Sequence, residues 1–165
     1  MFLSYAFGCF PSASLFVRRL VGKDILSEGT GNPGAVNSWE VTGKKQIGLL
    51  VLAADSAKGA LAVWTAWCVF GASPEMCMAA GTLSVLGHNF NAFHKFRGGR
   101  GLATAFGAFV LIAPIVPIVW LALYFLIFLL AKRDVHWASL FATGLIPAVY
   151  AVLPQALQRM PYELL

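Results

Sequence analysis

The chain has 165 residues, of which 59% are hydrophobic and only 12% charged, with a mean hydropathy of +0.75 and a formal charge of +5. A soluble domain carries roughly 25% charged residues, so the composition excludes a water-soluble globular protein and implies an integral membrane protein. The basic residues lie in short connections with no extended basic face, which argues against nucleic acid as a partner and leaves topology and anionic lipid or substrate to explain the charge.

With roughly 20 residues needed per crossing, the chain has room for about six spans. The expected fold is all-α: a polytopic membrane helix bundle, some spans short, with cytoplasmic glycine-rich loops, forming a single integral membrane domain over residues 1–165. The first candidate span is Phe2–Leu20. No basic region precedes it, and its positive cluster, Arg18, Arg19 and Lys23, comes at its end and just beyond, so a retained helix is expected rather than a cleaved signal.

A glycine-rich loop comes next: Glu28-Gly29-Thr30-Gly31-Asn32-Pro33-Gly34-Ala35-Val36-Asn37, followed by Gly43-Lys44-Lys45. Gly29-x-Gly31-x-x-Gly34 formally matches a dinucleotide fingerprint, but that fingerprint needs a strand and a βαβ unit, and Pro33 sits inside the turn. No Gly-Lys-Ser/Thr follows at Walker A spacing either. What remains is local chemistry: glycines that permit positive φ, the Thr30 hydroxyl, and Asn32 and Asn37, which can bond substrate oxygens or stabilise the turn.

The second span, Ile47–Phe70, contains Asp55 and Lys58 at i and i+3, a spacing that puts them on one helix face as an internal ion pair. Spans three and four, Met76–Gly87 and Gly101–Ala113, are short, as half-buried helices leading into a polar cavity can be. Between them lies the second loop, His88-Asn89-Phe90-Asn91-Ala92-Phe93-His94-Lys95-Phe96-Arg97-Gly98-Gly99-Arg100-Gly101. Gly98, Gly99 and Gly101 let backbone approach a ligand, Arg97 and Arg100 offer forked donors to phosphate oxygens, and Asn89 adds an amide. His88, a titratable ring at the end of a membrane helix, is a candidate functional group, whereas His94 and His136 read as surface residues. Spans five and six are Ile115–Ala131 and Ala138–Leu153, and Ser139 is a further candidate phosphate ligand. Cys9, Cys68 and Cys77 lack metal or redox spacing and read as small apolar helix residues.

Every Lys and Arg except Lys58 and Arg159 falls at the end of span one, where Arg18 and Arg19 lie, or in the three connections after spans one, three and five. The positive-inside bias therefore puts those loops in the cytoplasm and both termini outside.

The order Gly8-Cys9-Phe10-Pro11, Asp24-Ile25, Gly29 to Asn37 with Gly43-Lys44-Lys45, Asp55 with Lys58-Gly59, Leu86-Gly87-His88 and Phe96 to Thr104 resembles the PlsY-type glycerol-3-phosphate acyltransferases of bacterial membranes. The two loops correspond to that family's S-G-N-x-G-A-T-N and G-H…K-G-G-K-G motifs, and Lys132 to Ser139 is similar to a worn third motif. Thr30 stands where the family has Ser, Val36 where it has Thr, Glu40 where it has a basic residue, Asp134 where it has an aromatic residue and His136 where it has Ser. The family's last helix, with its basic cytoplasmic segment, has no counterpart before Leu165.

The resemblance implies a multi-pass protein of the bacterial inner membrane, its active site facing the cytoplasm. It would move a fatty acyl group from acyl phosphate to the 1-hydroxyl of glycerol 3-phosphate, giving lysophosphatidate as a monomer without metal or other cofactor. Its partners are these two substrates and membrane lipids. His88, Thr30 and Arg100 are the expected catalytic residues. Gly31, Asn32, Gly34, Asn37, Lys44, Asn89, Arg97, Gly98, Gly99, Gly101 and Ser139 are the expected phosphate and substrate ligands. Two other readings remain open: a catalytically worn homologue that binds phosphorylated lipid precursors, and a small-solute transporter.

Overall fold

The computed structural model describes residues 1–132 and 134–154. All regular elements among them are helical. The chain divides into two compact units, Met1–Ala108 and a second beginning at Phe109.

The first unit opens with two short helices, α1 (Phe2–Gly8) and α2 (Ser12–Val21), where one span over Phe2–Leu20 was expected. Pro11 is the reason: it has no N–H to continue the ladder, so α1 stops before it and α2 starts after it. Neither piece has the roughly 20 residues a crossing requires. Helix α2 buries Ala13 and Val17, one turn apart, and ends on Gly22 in the left-handed conformation, with Arg18 and Arg19 exposed in its last turn. The loop that follows leads into α3 (Ala35–Thr42), a helix that the hydropathy pattern does not signal.

Helix α4 (Lys45–Trp64) continues through a π-helical turn over Thr65–Val69. With that turn it is long and apolar enough to cross a membrane. Its buried stripe, Ile47, Gly48, Val51, Asp55, Lys58, Gly59, Ala62 and Val63, follows the 3–4 spacing of one helix face. Ile47 and Val51 pack with Ala13, Val17 and Ile25 in an apolar core that holds α2 and the following loop on α4.

Pro74 at the first position and Glu75 in the first turn start α5 (Pro74–Asn89), two residues longer at each end than the expected span. Its buried stripe is made of small residues, Cys77, Ala80, Gly81, Ser84 and Gly87, and the register continues to His88. Small residues let backbones touch: a β-carbon on Gly8 of α1 would collide with the Ser84 carbonyl, and one on Gly87 with the Tyr5 carbonyl. This close crossing seats the start of the chain against the end of α5.

Helix α6 (Leu102–Ile112) begins in the first unit and ends in the second. In the second unit α7 (Ile115–Leu130) and α8 (Val135–Val152) follow, within three residues of the expected boundaries. Asp134 caps α8, its Oδ1 accepting from the His136 and Trp137 amides at 2.8 and 3.1 Å. Those two bonds hold the carboxyl below the usual aspartate range. The α8 helix is long and apolar enough to span, while α6 and α7 are shorter apolar helices. The Trp120 indole N–H donates to Thr143 Oγ1 at 3.0 Å, joining α7 to α8. Arg133 and Arg159 lie outside the described residues.

Candidate active site

Ending α1 early leaves its last carbonyls without helical donors. Two carbonyls just past its end accept side-chain donors from elsewhere in the chain. Asn91 Nδ2 donates to the Cys9 carbonyl at 2.8 Å, and Lys58 Nζ donates to the Phe10 carbonyl at 3.1 Å. The break at Pro11 thus ties α1 both to α4 and to the second loop.

Around Lys58 a buried polar cluster forms. Lys58 Nζ lies 2.9 Å from Asp55 Oδ1, so the ion pair expected from the i, i+3 spacing is present. Ser12 Oγ donates to the same carboxylate oxygen from the first residue of α2. His88 Nδ1 lies 3.7 Å from it, close enough for an electrostatic influence and too far for a direct hydrogen bond. All four side chains are buried. A buried carboxylate persists only when it is compensated, and here an ammonium and a hydroxyl do so.

Above this cluster a small cleft opens, with Ser12, Pro33, Lys58, His88, Asn91 and His94 among its lining residues. Pro33 belongs to the first glycine loop, and His88, Asn91 and His94 to the second. The two loops, 51 residues apart between Asn37 and His88 in sequence, therefore meet at one place.

The first loop is held from within. Asn37 is buried, its Nδ2 donating to the Glu28 and Asn32 carbonyls at 3.2 and 3.0 Å and its Oδ1 accepting from the Thr30 amide at 3.0 Å. Of the two roles open to it, turn stabilisation is the one its hydrogen bonds fill. Gly29 and Gly31 adopt the positive φ values of 59° and 70° that the turn requires. Thr30 is exposed, and its Oγ1 receives the Asn32 amide at 3.4 Å.

Asn91 governs the second loop. Its Oδ1 accepts from the Phe93 amide, and its carbonyl accepts from the His94 and Phe96 amides at 3.0 and 2.8 Å. The tight winding puts Lys95 and Phe96 in the left-handed region at φ 55° and 61°, a conformation that non-glycine residues hold only when their surroundings impose it. The Gly99 amide then donates to the His88 carbonyl at 3.2 Å, folding the Gly98–Gly99 segment back over the end of α5. Asn89 Oδ1, withdrawn from solvent, has no hydrogen-bond partner and faces Gly101, where a β-carbon would come within 2.5 Å of it.

The structure brings His88 together with Gly98 and Gly99 of the second loop, while the first loop reaches the cleft through Pro33, and Gly31, Asn32 and Gly34 do not line it. Arg97, Arg100 and Lys44 are exposed and do not line the cleft. Ser139 belongs to the second unit, where its hydroxyl donates to the Val135 carbonyl at 2.7 Å. His94 differs from its reading as a surface residue: it is half-buried in the cleft wall. Burial holds its imidazole below the ordinary histidine range, with Asp24 opposing and Lys58 adding to that effect. Ser12 and Asn91 are cleft-lining positions that the sequence reading did not single out. The signals for them were the Pro11 break immediately before Ser12 and an amide placed inside a basic loop. Among the described residues, no three His, Cys, Asp or Glu side chains converge as a metal site requires.

The sequence model of the glycerol-3-phosphate acyltransferase family matches residues 1–165. A glycerol-3-phosphate acyltransferase of Trichlorobacter lovleyi is 35% identical over 157 residues, covering 95% of this chain and 79% of the relative. Glycerol-3-phosphate acyltransferase 1 of Deinococcus radiodurans is 37% identical over 155 residues, covering 94% and 76%. The fold is similar to that of PlsY, an integral membrane glycerol 3-phosphate acyltransferase, in its glycerol 3-phosphate form. The TM-score is 0.77 and the identity 34%, over 88% of this chain and 71% of that one. The lysophosphatidic acid form of PlsY gives a TM-score of 0.72 at 30% identity, over 95% and 80%. By a sequence match over residues 1–165 and by fold, the chain belongs to the glycerol-3-phosphate acyltransferase family.

Proposed function

We propose that this membrane protein transfers a fatty acyl group from acyl phosphate to the 1-hydroxyl of glycerol 3-phosphate, the first acylation of phospholipid synthesis. The observation that carries the proposal is the meeting of both glycine loops at a cleft that contains His88, in a chain of this family. In the reaction the hydroxyl oxygen bonds to the acyl carbon and the acyl–phosphate bond breaks. The hydroxyl proton leaves, and phosphate departs with the electron pair.

Acyl phosphate is already activated, so positioning and charge neutralisation suffice and no covalent nucleophile is required. In the first loop the Gly31 and Gly34 amides are already bonded to the Glu28 and Asn32 carbonyls and shape the turn, so the Thr30 hydroxyl and the Asn32 side-chain amide are the groups that offer donors to one phosphate. Arg97 and Arg100, on the rim of the second loop, are suited to meet another as it approaches, with Lys44 a further surface cation. His88 orients or deprotonates the acceptor hydroxyl, or the donor phosphate itself takes that proton. A membrane helix bundle in the bacterial inner membrane, with the loops on the cytoplasmic side, puts the cleft where both water-soluble and lipid substrates arrive.

Incubating the purified protein with acyl phosphate and glycerol 3-phosphate tests this directly. Equal amounts of lysophosphatidate and inorganic phosphate are expected. Binding of glycerol 3-phosphate without either product would identify a worn, non-catalytic homologue, a reading that the exposed Glu40 in place of a basic residue favours.

A further inference from the structure

Among the described residues that line the cleft, Lys58 is the fixed cation, and Asp55 at 2.9 Å neutralises it. A phosphate entering the cleft therefore meets a pair of no net charge, held by hydrogen bonds to Ser12 and to the Phe10 carbonyl. The exposed arginines stand outside the lining. Some other group has to supply positive charge at the bottom of the site.

His94 lines the same cleft, and its Nδ1 is withdrawn from solvent with no hydrogen-bond partner. A polar atom left in that state asks for an explanation, because burying it without a bond is unfavourable. Its placement is also enforced. The His94 amide is bonded to the Asn91 carbonyl, its own carbonyl accepts from the Arg97 amide at 3.1 Å, and the left-handed Lys95 and Phe96 follow it. Asn91 is in turn fixed to the Cys9 carbonyl. The loop thus holds strain in order to present this ring.

We propose that His94 is a second phosphate ligand of the cleft, which takes up a proton from solvent as a phosphate monoester or acyl phosphate binds beside Lys58. The charged and titratable groups facing it are Asp24 from the loop after α2, Lys58 from α4 and His88 from the end of α5. In the empty cleft, burial keeps the ring neutral at pH 7. A phosphate dianion next to it favours the charged form, so binding brings one proton from water onto the ring and leaves every substrate bond intact. The proposal takes from the acyltransferase reading only the identity of the phosphate compound.

Titration calorimetry of the full chain with inorganic phosphate and with glycerol 3-phosphate, at pH 7 in buffers of different ionisation enthalpy, measures this uptake. Wild-type protein is expected to take up between about half and one proton more than His94→Gln, a difference in which the proton that the phosphate itself loses on binding cancels. His94→Gln should lose the ring's share of the uptake and bind about tenfold or more weakly, the loss of one charge-assisted bond. His94→Lys should keep most of the affinity without the ring's share of the uptake, which separates charge from a folding defect. Steady-state KM values for glycerol 3-phosphate and for acyl phosphate in His94→Gln then identify which phosphate the ring meets, as the one whose KM rises. Equal proton uptake in wild type and His94→Gln would overturn the proposal. Loss of the ring's share of the uptake in His94→Gln, in a protein that forms no lysophosphatidate, would sustain His94 and remove the acyltransferase reading instead.

Discussion

Gly99 lies directly against the ring of His88. A β-carbon at position 99 would run into Nε2, with Cε1 and Cδ2 at 3.0 and 3.1 Å, while the Gly99 amide donates to the His88 carbonyl. The second glycine of the basic loop is therefore a spacer for one imidazole edge, and its absent side chain is what the site requires.

Gly99→Ala should displace the His88 ring and lower kcat/KM by on the order of a hundredfold, since a misplacement of about 1 Å at a reacting group has effects of that size. Gly144→Ala is the comparison. A β-carbon there meets nothing within 4 Å, so activity should stay within about twofold. Kinetic parity between the two variants would show that the space over Nε2 is not needed.

Asp55 and Lys58 form a compensated buried pair, so removing one partner is expected to be far worse than removing both. Asp55→Asn or Lys58→Met alone should destabilise the protein by about 3 kcal/mol or more, because each leaves an uncompensated buried charge. The double variant should recover most of that loss. Thermal unfolding in detergent, analysed as a double-mutant cycle, checks the coupling, and additive single effects would show that the pair is not coupled.

How much of this was readable in the chain depends on the range of the interaction involved. The Asp55–Lys58 pair is local, three residues apart on one face, and the spacing alone reveals it. Its other neighbours, Ser12 and His88, come from 43 and 33 residues away and no periodicity points to them. The hydropathy of residues 2–20 reads as one span because the apolar run is nearly continuous. Pro11 carried the contrary signal, and local chain chemistry prevailed over bulk composition. Helix α3 has too few apolar residues to register, and its place is fixed by packing on α4, where Gly48 approaches the Ala35 carbonyl and Trp39. His94 looked like a surface residue because its burial depends on a loop wound around Asn91, which is a tertiary fact.

Arg100 is exposed and basic, and its proposed partner is a phosphate. Arg100→Ala should raise the KM of the phosphorylated substrate about tenfold or more, from the loss of a charge-assisted contact worth about 1.5–3 kcal/mol, and Lys at this position should restore part of it. Arg19, exposed in the last turn of α2, serves as the control, and its alanine variant should bind normally. Equal effects at both positions would reduce the Arg100 side chain to a topology signal.

The orientation of the loops can be read by chemical access. Single cysteines at Lys44 and Arg97, in a chain with Cys9, Cys68 and Cys77 replaced, should react with an impermeant maleimide only after the inner membrane is opened. Labelling of either in sealed cells would invert the assignment made from the distribution of Lys and Arg.

The proton of the acceptor hydroxyl has two possible destinations, and His88 distinguishes them. If the imidazole orients or removes that proton, His88→Ala should lower kcat by about 10²–10⁴-fold with a smaller change in acyl phosphate binding, as loss of a positioned acid or base does. If the donor phosphate takes the proton, the loss should lie mainly in substrate affinity, and Asn or Gln, which keep a hydrogen bond but accept no proton at neutral pH, should restore part of it. The pH profile of kcat sharpens the distinction. A base at His88 gives a limb that disappears in all three variants, whereas a substrate base leaves the limb in place. Undiminished acyl transfer in the Ala, Asn and Gln variants would take His88 out of the reaction and leave it as part of the packing beneath Gly99.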